Sequence, residues 1–201
     1  MCGQVNGVSG IILAGGESRR MGRDKALLEL NGSCFIESVY RVLSELFPEV
    51  IIVTNNPERY AFLSCRLVPD LYPGKGALAG IHAGLLACKN DRAFVTACDM
   101  PFLHAGLIRY LAQCAADVDA IVPRTPDGLQ PLHAIYHFSS LPIVEQHLRS
   151  GDVSILKVLA AIRTLQVPAE ELQRFDPDLK SFSNINTPGD FSSIVPARTP
   201  R

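Results

Sequence analysis

Short apolar runs alternate with segments of helical periodicity along the first two thirds of the chain. The β-branched and apolar runs predict buried strands at residues 8–13, 50–53, 66–68, 93–97 and 120–122. Apolar residues three or four positions apart predict helices at 35–47, 77–88 and 104–115, with a short turn near 57–63. This alternation is typical of an α/β fold with a mostly parallel, doubly wound sheet, whose ligand crevice lies at the carboxyl ends of its strands.

The pattern after Pro123 is less regular. It predicts a strand at 132–136, helices at 141–150 and 154–161, and a further strand at 164–167. No internal repeat or linker-like tract interrupts the chain. We therefore expect this second part to extend the same sheet and to build the wall against which an acceptor substrate binds.

Composition narrows the classes of function. With 201 residues, 19 basic and 20 acidic side chains and a net charge of -1, the chain has no basic field for a nucleic-acid backbone. Its apolar runs are too short to span a membrane, and its first residues lack a signal-peptide pattern, so we expect a cytoplasmic protein. Six cysteines without a Cys-x-x-Cys pair argue against a zinc site and against a disulfide framework.

The loop after the first strand carries the most informative pattern. Gly15 and Gly16 allow the backbone to turn and to bring its N–H groups close to an anion. Three arginines, Arg19 among them, and Lys25 follow within residues 19–25 and supply positive charge for phosphate oxygens. Five residues separate Gly16 from the next glycine, which excludes a Walker A loop. A surface loop with solvated charges remains the alternative.

A second glycine cluster follows Asp70 and opens the predicted helix at 77–88. Residues 74–80 have the spacing Gly-x-Gly-x-x-x-Gly, one residue longer than the dinucleotide fingerprint. Such a segment permits backbone approach to a base or an anion, or simply close packing of the helix; the spacing leaves both open.

Three further groups of residues could take part in chemistry. Asp99 ends the fourth strand, where a carboxylate is suited to Mg²⁺ that bridges phosphate oxygens; a helix N-cap is the alternative. Asn184 and Asn186 are suited to line a polar pocket, or to form a turn. His133 and His137 are four residues apart but in a strand-like run, which favours core or surface histidines over metal ligands.

Taken together, five segments resemble the molybdenum cofactor guanylyltransferases. The segments are Leu13-Ala14-Gly15-Gly16-x-Ser18-x-Arg20-Met21-Gly22-x-Asp24-Lys25, the stretch 70–80, Cys98-Asp99-Met100-Pro101, Gln130-Pro131-Leu132-His133-Ala134 and Asn184-Ile185-Asn186-Thr187-Pro188. The first motif belongs to the wider family of nucleotidyltransferases and pyrophosphorylases, and the last is more specific to the molybdenum cofactor branch.

The resemblance implies an activity and a fold. The activity is transfer of GMP from GTP to Mo-molybdopterin with release of pyrophosphate, with Mg²⁺ as cofactor. The fold is a three-layer, Rossmann-like sheet of the nucleotide-diphospho-sugar transferase type, as one domain over 1–201 with a nucleotide-binding half at about 7–123 and an acceptor-binding half at about 124–195. The implied partners are GTP, Mo-molybdopterin, other molybdenum cofactor biosynthesis proteins and apo-molybdoenzymes, without nucleic acid or membrane.

The resemblance also implies roles for individual residues. The nucleotide is contacted by Leu13, Ala14, Gly15, Gly16, Lys25, Asn55, Asp70, Gly80 and Asp99. Asn56 is the alternative to Asn55. Asp99 binds Mg²⁺, and we expect Lys25, Asp99 and Arg19 to be the catalytic residues. Asn184 and Asn186 face the pterin.

Two other readings of the same fold remain. One is a cytidylyltransferase or a sugar-phosphate nucleotidyltransferase, and the other is a non-catalytic carrier of a nucleotide or cofactor. Cytidylyltransferase relatives usually have Leu-Ala-Ala-Gly where this chain has Leu13-Ala14-Gly15-Gly16, which favours GTP. The chain departs from many relatives at residues 76–80, where Gly-Ala-Leu-Ala-Gly replaces Gly-Pro-Leu-x-Gly.

Overall fold

Strands and helices alternate along the chain. The computed structural model describes residues 3–15, 26, 29–30, 33–114 and 117–185. The strands of these residues are β1 (Val8–Leu13), β2 (Glu29–Leu30), β3 (Ser33–Cys34), β4 (Val50–Val53), β5 (Arg66–Val68), β6 (Arg92–Ala97), β7 (Ala120–Thr125), β8 (Gly128–Leu129), β9 (His133–His137) and β10 (Thr164–Pro168). Their α-helices are α1 (Phe35–Leu46), α2 (Gly76–Ala87), α3 (Ala105–Gln113), α4 (Leu141–Ser150), α5 (Ile155–Ala161) and α6 (Ala169–Leu172). Single 3₁₀ turns occur at Pro57–Tyr60, Phe138–Ser140 and Lys180–Phe182.

The main sheet has the strand order β10-β7-β9-β6-β1-β4-β5, with β8 paired to β7. Parallel ladders join β1 to β4 and β6, β4 to β5, and β7 to β10. Only β9 among the strands of this path runs antiparallel to its neighbours β6 and β7. The sheet is therefore mostly parallel, as predicted, and the second part of the chain extends it.

Helices cover both faces of the sheet. Successive side chains of a strand point to opposite faces, and β1 shows this directly: Ile12 packs in the core beneath α1 and α3, whereas Ile11 and Leu13 pack beneath α2. All six residues of β1 are buried because the strand lies between two others and between two helical layers. This arrangement confirms the predicted three-layer α/β fold.

The helix α2 approaches the sheet unusually closely. A Cβ at Gly80 would lie 3.0 Å from Cδ2 of Leu13, and one at Gly84 would lie 2.7 Å from Cγ2 of Ile11. The outer side of α2 is covered by α4, so the helix is buried from residue 78 to residue 85. A helix that is apolar all round is expected to be buried in this way.

Most predicted boundaries agree with the structure within one or two residues. The main exception among the strands is β7, which continues through Pro123 to Thr125 instead of ending at residue 122. The short strands β2, β3 and β8 and the helix α6 were not predicted. The five cysteines in the described part of the chain are free thiols. No helix among the described residues has both the length and the apolar character needed to cross a membrane.

Candidate functional site

The ends of β1 and β6 meet at the carboxyl edge of the sheet. Leu13 lies opposite Ala97, and the backbone N–H of Cys98 donates to the carbonyl of Leu13 at 3.1 Å. This pairing carries the two chains past their strands side by side, so Gly15 and Asp99 leave the sheet at the same edge. Gly15 is exposed and Asp99 is half-buried. The two parts of the sequence predicted to contact phosphates and Mg²⁺ therefore come from neighbouring strands.

The loops after β4 and β5 are joined by a side chain. The side-chain carbonyl of Asn55 accepts a hydrogen bond from the backbone N–H of Asp70 at 2.9 Å. Because that oxygen is the acceptor, the amide nitrogen of Asn55 points its two donors elsewhere, and it has no partner among the described residues. Among the described residues the side chain of Asn56 has no such partner, and its backbone N–H donates to Thr54 Oγ1. Asn55 is thus the asparagine that is structurally coupled to Asp70.

Asp70 is held by an interaction that the sequence analysis missed. Its Oδ1 accepts from the backbone N–H of Tyr72 at 2.7 Å, which is the Asx turn that an aspartate forms with a residue two positions on. The hydroxyl of Tyr72 donates to Oε1 of Glu145 at 3.2 Å, and Arg149 binds the same oxygen at 2.7 Å. The spacing of Asp70 and Tyr72 could have revealed the turn, but the contact with α4 depends on the tertiary fold.

The glycine cluster serves two different purposes. Gly74 and Gly76 have φ angles of 78° and 66°, in the left-handed region that glycine adopts readily, and they shape the entry to α2. Gly80 is buried against Leu13. That contact also places the beginning of α2 near the end of β1, so the partial positive charge of the helix N-terminus lies at the carboxyl edge. Close packing explains Gly80; its predicted nucleotide contact stays a prediction.

The closing motif reaches the Asp99 turn. The backbone N–H of Ile185 donates to the carbonyl of Asp99 at 3.1 Å, and the Ile185 side chain is buried. Asn184, which precedes it, is exposed. One of the two asparagines predicted to bind the acceptor therefore lies beside the aspartate predicted to bind Mg²⁺, although 85 residues separate Asp99 from Asn184 along the chain.

Helix capping does not account for Asp99. The N-cap of α3 is His104, whose Nδ1 accepts from the backbone N–H of Leu107 at 3.2 Å. Among the described residues no three His, Cys, Asp or Glu side chains gather into a metal site. A single carboxylate nevertheless suits Mg²⁺, which is commonly held by one or two carboxylates together with substrate phosphates and water.

Four predicted site residues, Gly16, Arg19, Lys25 and Asn186, lie outside the described residues. Among the described site residues, a first group lies where β1 and β6 end at the carboxyl edge: Leu13, Ala14, Gly15 and Asp99. Asn55 and Asp70 form a second group on the neighbouring loops. Asn184 joins the first group through Ile185. Gly80 lies beneath Leu13.

A groove of about 560 Å³ lies on the outer surface between α2 and α4, and its lining includes Leu71 and Tyr72, which directly follow Asp70. Its lining includes Leu86 and Phe138, which are exposed, and Glu145, which is already bound to Arg149. Phe138 donates its backbone N–H to the carbonyl of Asp91, just before β6 begins, so the groove extends toward the opposite edge of the sheet. A lining that combines the carboxylate of Glu145 with exposed apolar side chains is unsuited to a triphosphate.

A mostly parallel sheet with a glycine turn, a carboxylate and a helix N-terminus at one carboxyl edge is typical of α/β proteins that bind nucleotides. Comparison with known proteins specifies the class. Residues 10–167 match the model of the MobA-like NTP transferase domain. The chain belongs to this family.

Proteins similar to this chain include two curated relatives and one solved structure. It is 39% identical over 185 residues to the molybdenum cofactor guanylyltransferase of Desulfosudis oleivorans, with 91% of this chain and 92% of the relative covered. It is 41% identical over 190 residues to the probable molybdenum cofactor guanylyltransferase of Pelotomaculum thermopropionicum, covering 94% and 91%. The crystal structure of molybdopterin-guanine dinucleotide biosynthesis protein A from Archaeoglobus fulgidus superposes with a TM-score of 0.82 at 31% identity, covering 92% and 95%.

Proposed function

We propose that the protein transfers GMP from GTP to Mo-molybdopterin and so forms the guanine dinucleotide of the cofactor. The observation that carries this proposal is the pairing of the β1 and β6 ends, which brings Gly15 and Asp99 to one edge. The names of the similar proteins supply the substrates, and the position of Asn184 beside Asp99 is in keeping with an acceptor bound next to the triphosphate.

The reaction has an electrostatic problem to solve, because both partners are anions. An oxygen of the acceptor phosphate attacks the α-phosphorus of GTP, a new P–O bond forms, the bond to the β-phosphate oxygen breaks, and pyrophosphate leaves. The acceptor phosphate is already ionised at neutral pH, so no general base is needed. Lys25 and Arg19 would stabilise negative charge on the α-phosphoryl oxygens and on the leaving pyrophosphate.

Asp99 would hold the Mg²⁺ that the family's chemistry implies. The donor set fits, because a half-buried carboxylate beside the glycine turn leaves the remaining coordination to phosphate oxygens and water. When bound, Mg²⁺ would neutralise phosphate charge during transfer. The backbone at Gly15 would approach the same phosphates, since no side chain intervenes there.

Asp70 is suited to select guanine. One of its carboxylate oxygens, Oδ1, is occupied by the backbone N–H of Tyr72, which fixes the orientation of the group. An ionised carboxylate only accepts hydrogen bonds. Guanine presents two adjacent donors on its pairing edge, whereas cytosine presents one donor beside acceptors that the carboxylate would repel. This chemistry favours GTP over CTP and supports a contact between Asp70 and the base of the nucleotide.

The two halves of the domain would then divide the work. The half at 7–123 would bind the nucleotide, and the half at 124–195, through Asn184 and Asn186, would bind the pterin. The product would pass to apo-molybdoenzymes in the cytoplasm, with other molybdenum cofactor biosynthesis proteins supplying the substrate. At the site, the backbone N–H of Ile185 in the second half donates to the carbonyl of Asp99 in the first.

Incubation of the purified protein with Mg²⁺, molybdopterin and either GTP or CTP tests the proposal. We expect pyrophosphate release and a guanine dinucleotide in the mass spectrum with GTP, and no more than trace product with CTP. Cytidylyl product would favour the cytidylyltransferase, transfer only to a sugar phosphate would favour that alternative, and GTP binding without turnover would favour a carrier. Any of these results would contradict the proposal.

A further inference from the structure

His133 lies at the edge where the site forms, although no catalytic role is assigned to it above. It is the first residue of β9 and lies opposite Thr96 of β6. Because β9 runs antiparallel to β6, its beginning is at the carboxyl edge, close to the point where β6 leads into the Asp99 turn. The side chain is completely buried.

The imidazole of His133 connects the sheet with the closing segment, residues 180–185. Its ring centroid is 5.0 Å from that of Phe94 in β6, with the planes at 87°, and 4.7 Å from that of Phe182, with the planes at 58°. These distances are those of favourable aromatic pairs. Phe182 precedes Asn184 by two residues, so the ring contact fixes the segment just before the residue proposed to bind the acceptor.

Packing, not hydrogen bonding, holds the ring in place. Neither ring nitrogen has a hydrogen-bond partner among the described residues. Burial lowers the pKa of His133 to about 3, although the nearby Asp176 carboxylate opposes this effect. The ring is thus a neutral aromatic disc at physiological pH, and a phenyl ring should be able to take its place.

The Asp99 turn has an anchor of its own. Cys98 is bound to Leu13 of β1 through its backbone N–H, and this bond does not involve the closing segment. The closing segment is held near its start by Ser181, whose hydroxyl accepts from the backbone N–H of His104 at 3.1 Å. Between these hydrogen bonds at Ser181 and Ile185, the ring of Phe182 contacts the ring of His133.

We propose that His133 is a positioning residue: by packing edge-on against Phe94 and at a tilt against Phe182 it holds the closing segment so that Asn184 meets the acceptor substrate. The inference rests on the proposed function for the identity of that acceptor. Loss of the ring should loosen the acceptor side of the site and leave the nucleotide side intact, since Asp99 stays bound through Cys98.

The kinetic test compares His133→Phe with His133→Gln, which retains a polar group but lacks a ring. We expect His133→Gln to raise the KM for molybdopterin about tenfold with the KM for GTP unchanged, as small displacements of a binding group do. His133→Phe should keep the KM for molybdopterin at the parent value. Phe182→Leu, at a half-buried position, should match His133→Gln and serves if that variant folds poorly. A parent-like KM for molybdopterin in His133→Gln together with a raised one in His133→Phe would overturn the proposal. Equal changes in the KM for molybdopterin and the KM for GTP would overturn it as well.

Hydrogen exchange of the segment provides a readout that does not depend on activity. We expect faster exchange at residues 180–185 in His133→Gln and in Phe182→Leu than in the parent or in His133→Phe. Unchanged exchange in both ring-deleted variants would overturn the positioning role even if the parent is an active guanylyltransferase. An inactive parent with the predicted exchange pattern would instead contradict the proposed function and leave the positioning role supported.

Discussion

The side-chain carbonyl of Asn55 and the backbone N–H of Asp70 form a 2.9 Å hydrogen bond that joins the loops after two neighbouring parallel strands. Fifteen residues separate the two partners along the chain. The bond fixes the side-chain amide of Asn55 against the backbone of Asp70, and the carboxylate of Asp70 is held separately by its Asx turn with Tyr72. A ligand base at this edge would meet a preformed pair and not two independent side chains.

Asn55→Ala should therefore weaken the use of GTP more than Asn56→Ala does. Loss of one hydrogen bond of about 1 kcal/mol, together with a less ordered Asp70 loop, predicts a rise in the KM for GTP of about five- to tenfold. Asn56→Ala is the matched control, because its side chain makes no hydrogen bond among the described residues. Steady-state kinetics of both variants check this, and a larger effect at position 56 would assign the nucleotide contact to Asn56 instead.

Gly15 and Gly84 should respond in opposite ways to alanine. A Cβ at Gly15 meets no atom of the described residues within 4 Å, so Gly15→Ala should fold normally but obstruct the phosphates, lowering kcat/KM for GTP about tenfold or more. A Cβ at Gly84 meets Ile11 at 2.7 Å in a buried strand. Overpacking there should lower the free energy of unfolding by about 1–2 kcal/mol, even though alanine favours the helix.

Thermal or denaturant unfolding and GTP kinetics, measured on both glycine variants, separate the two effects. A destabilised Gly15→Ala variant would show that the turn needs glycine for folding. Parent-like kinetics in a stable Gly15→Ala variant would remove the proposed phosphate contact.

Lys25→Ala and Asp99→Ala should each reduce guanylyl transfer by on the order of 10²-fold or more, because each removes an electrostatic contact to charge that develops in the transition state. In Asp99→Ala the rate should also lose most of its dependence on Mg²⁺ concentration. Initial rates across a Mg²⁺ titration, with circular dichroism to confirm folding, measure both effects. Activity close to that of the parent in either variant would withdraw the role proposed for that residue.

Asp119 should make stability dependent on pH in the acid range. Its carboxylate accepts from the Arg163 side chain and from Ser139 Oγ, and these bonds lower its pKa from 3.8 to about 2. A pKa lowered in the folded state means that the stabilisation is complete above pH 4 and is lost as the pH falls toward 2. Near neutral pH, Asp119→Asn should lower the free energy of unfolding by about 1–3 kcal/mol.

The exposed pair of Asp178 and Lys180 offers a control for Asp119, because both side chains are about two-thirds exposed and such pairs contribute little. Unfolding curves recorded from pH 2 to pH 7 give the free energy of unfolding at each pH. At acid pH this free energy should fall less steeply in Asp119→Asn than in the parent, and as steeply as in the parent in Asp178→Asn. Equal slopes in all three proteins would contradict the assigned cause.

The strands and their order of appearance were largely predictable because burial on both faces leaves a strong mark on the sequence. Each residue of β1 is apolar or small, and the same holds for β4. The end of β7 was less predictable: Pro123 suggested a stop, but pairing with β9 has already ended at Ile121, and β10 remains as a partner through Pro168. A proline is tolerated where a ladder is incomplete.

The sequence could nominate individual candidates for the site, but it could not predict how they are arranged. Asp99 and Gly15 could be predicted to share an edge because each follows a buried parallel strand. The bond between Ile185 and Asp99 could not, because nothing in the spacing of the chain states where the closing segment packs. The aromatic contacts of His133 could not be predicted for the same reason. A histidine in an apolar strand is expected to lie in the core, and the fold is needed to show that Phe182 is its neighbour.

A crystal structure of the protein with Mg²⁺ and a non-hydrolysable GTP analogue would show whether the nucleotide binds where β1 and β6 end. We expect the triphosphate between the backbone at Gly15 and the carboxylate of Asp99, with Mg²⁺ bound to Asp99 and the guanine near Asp70. A nucleotide bound away from this edge, or a triphosphate that touches neither Gly15 nor Asp99, would refute the proposed site.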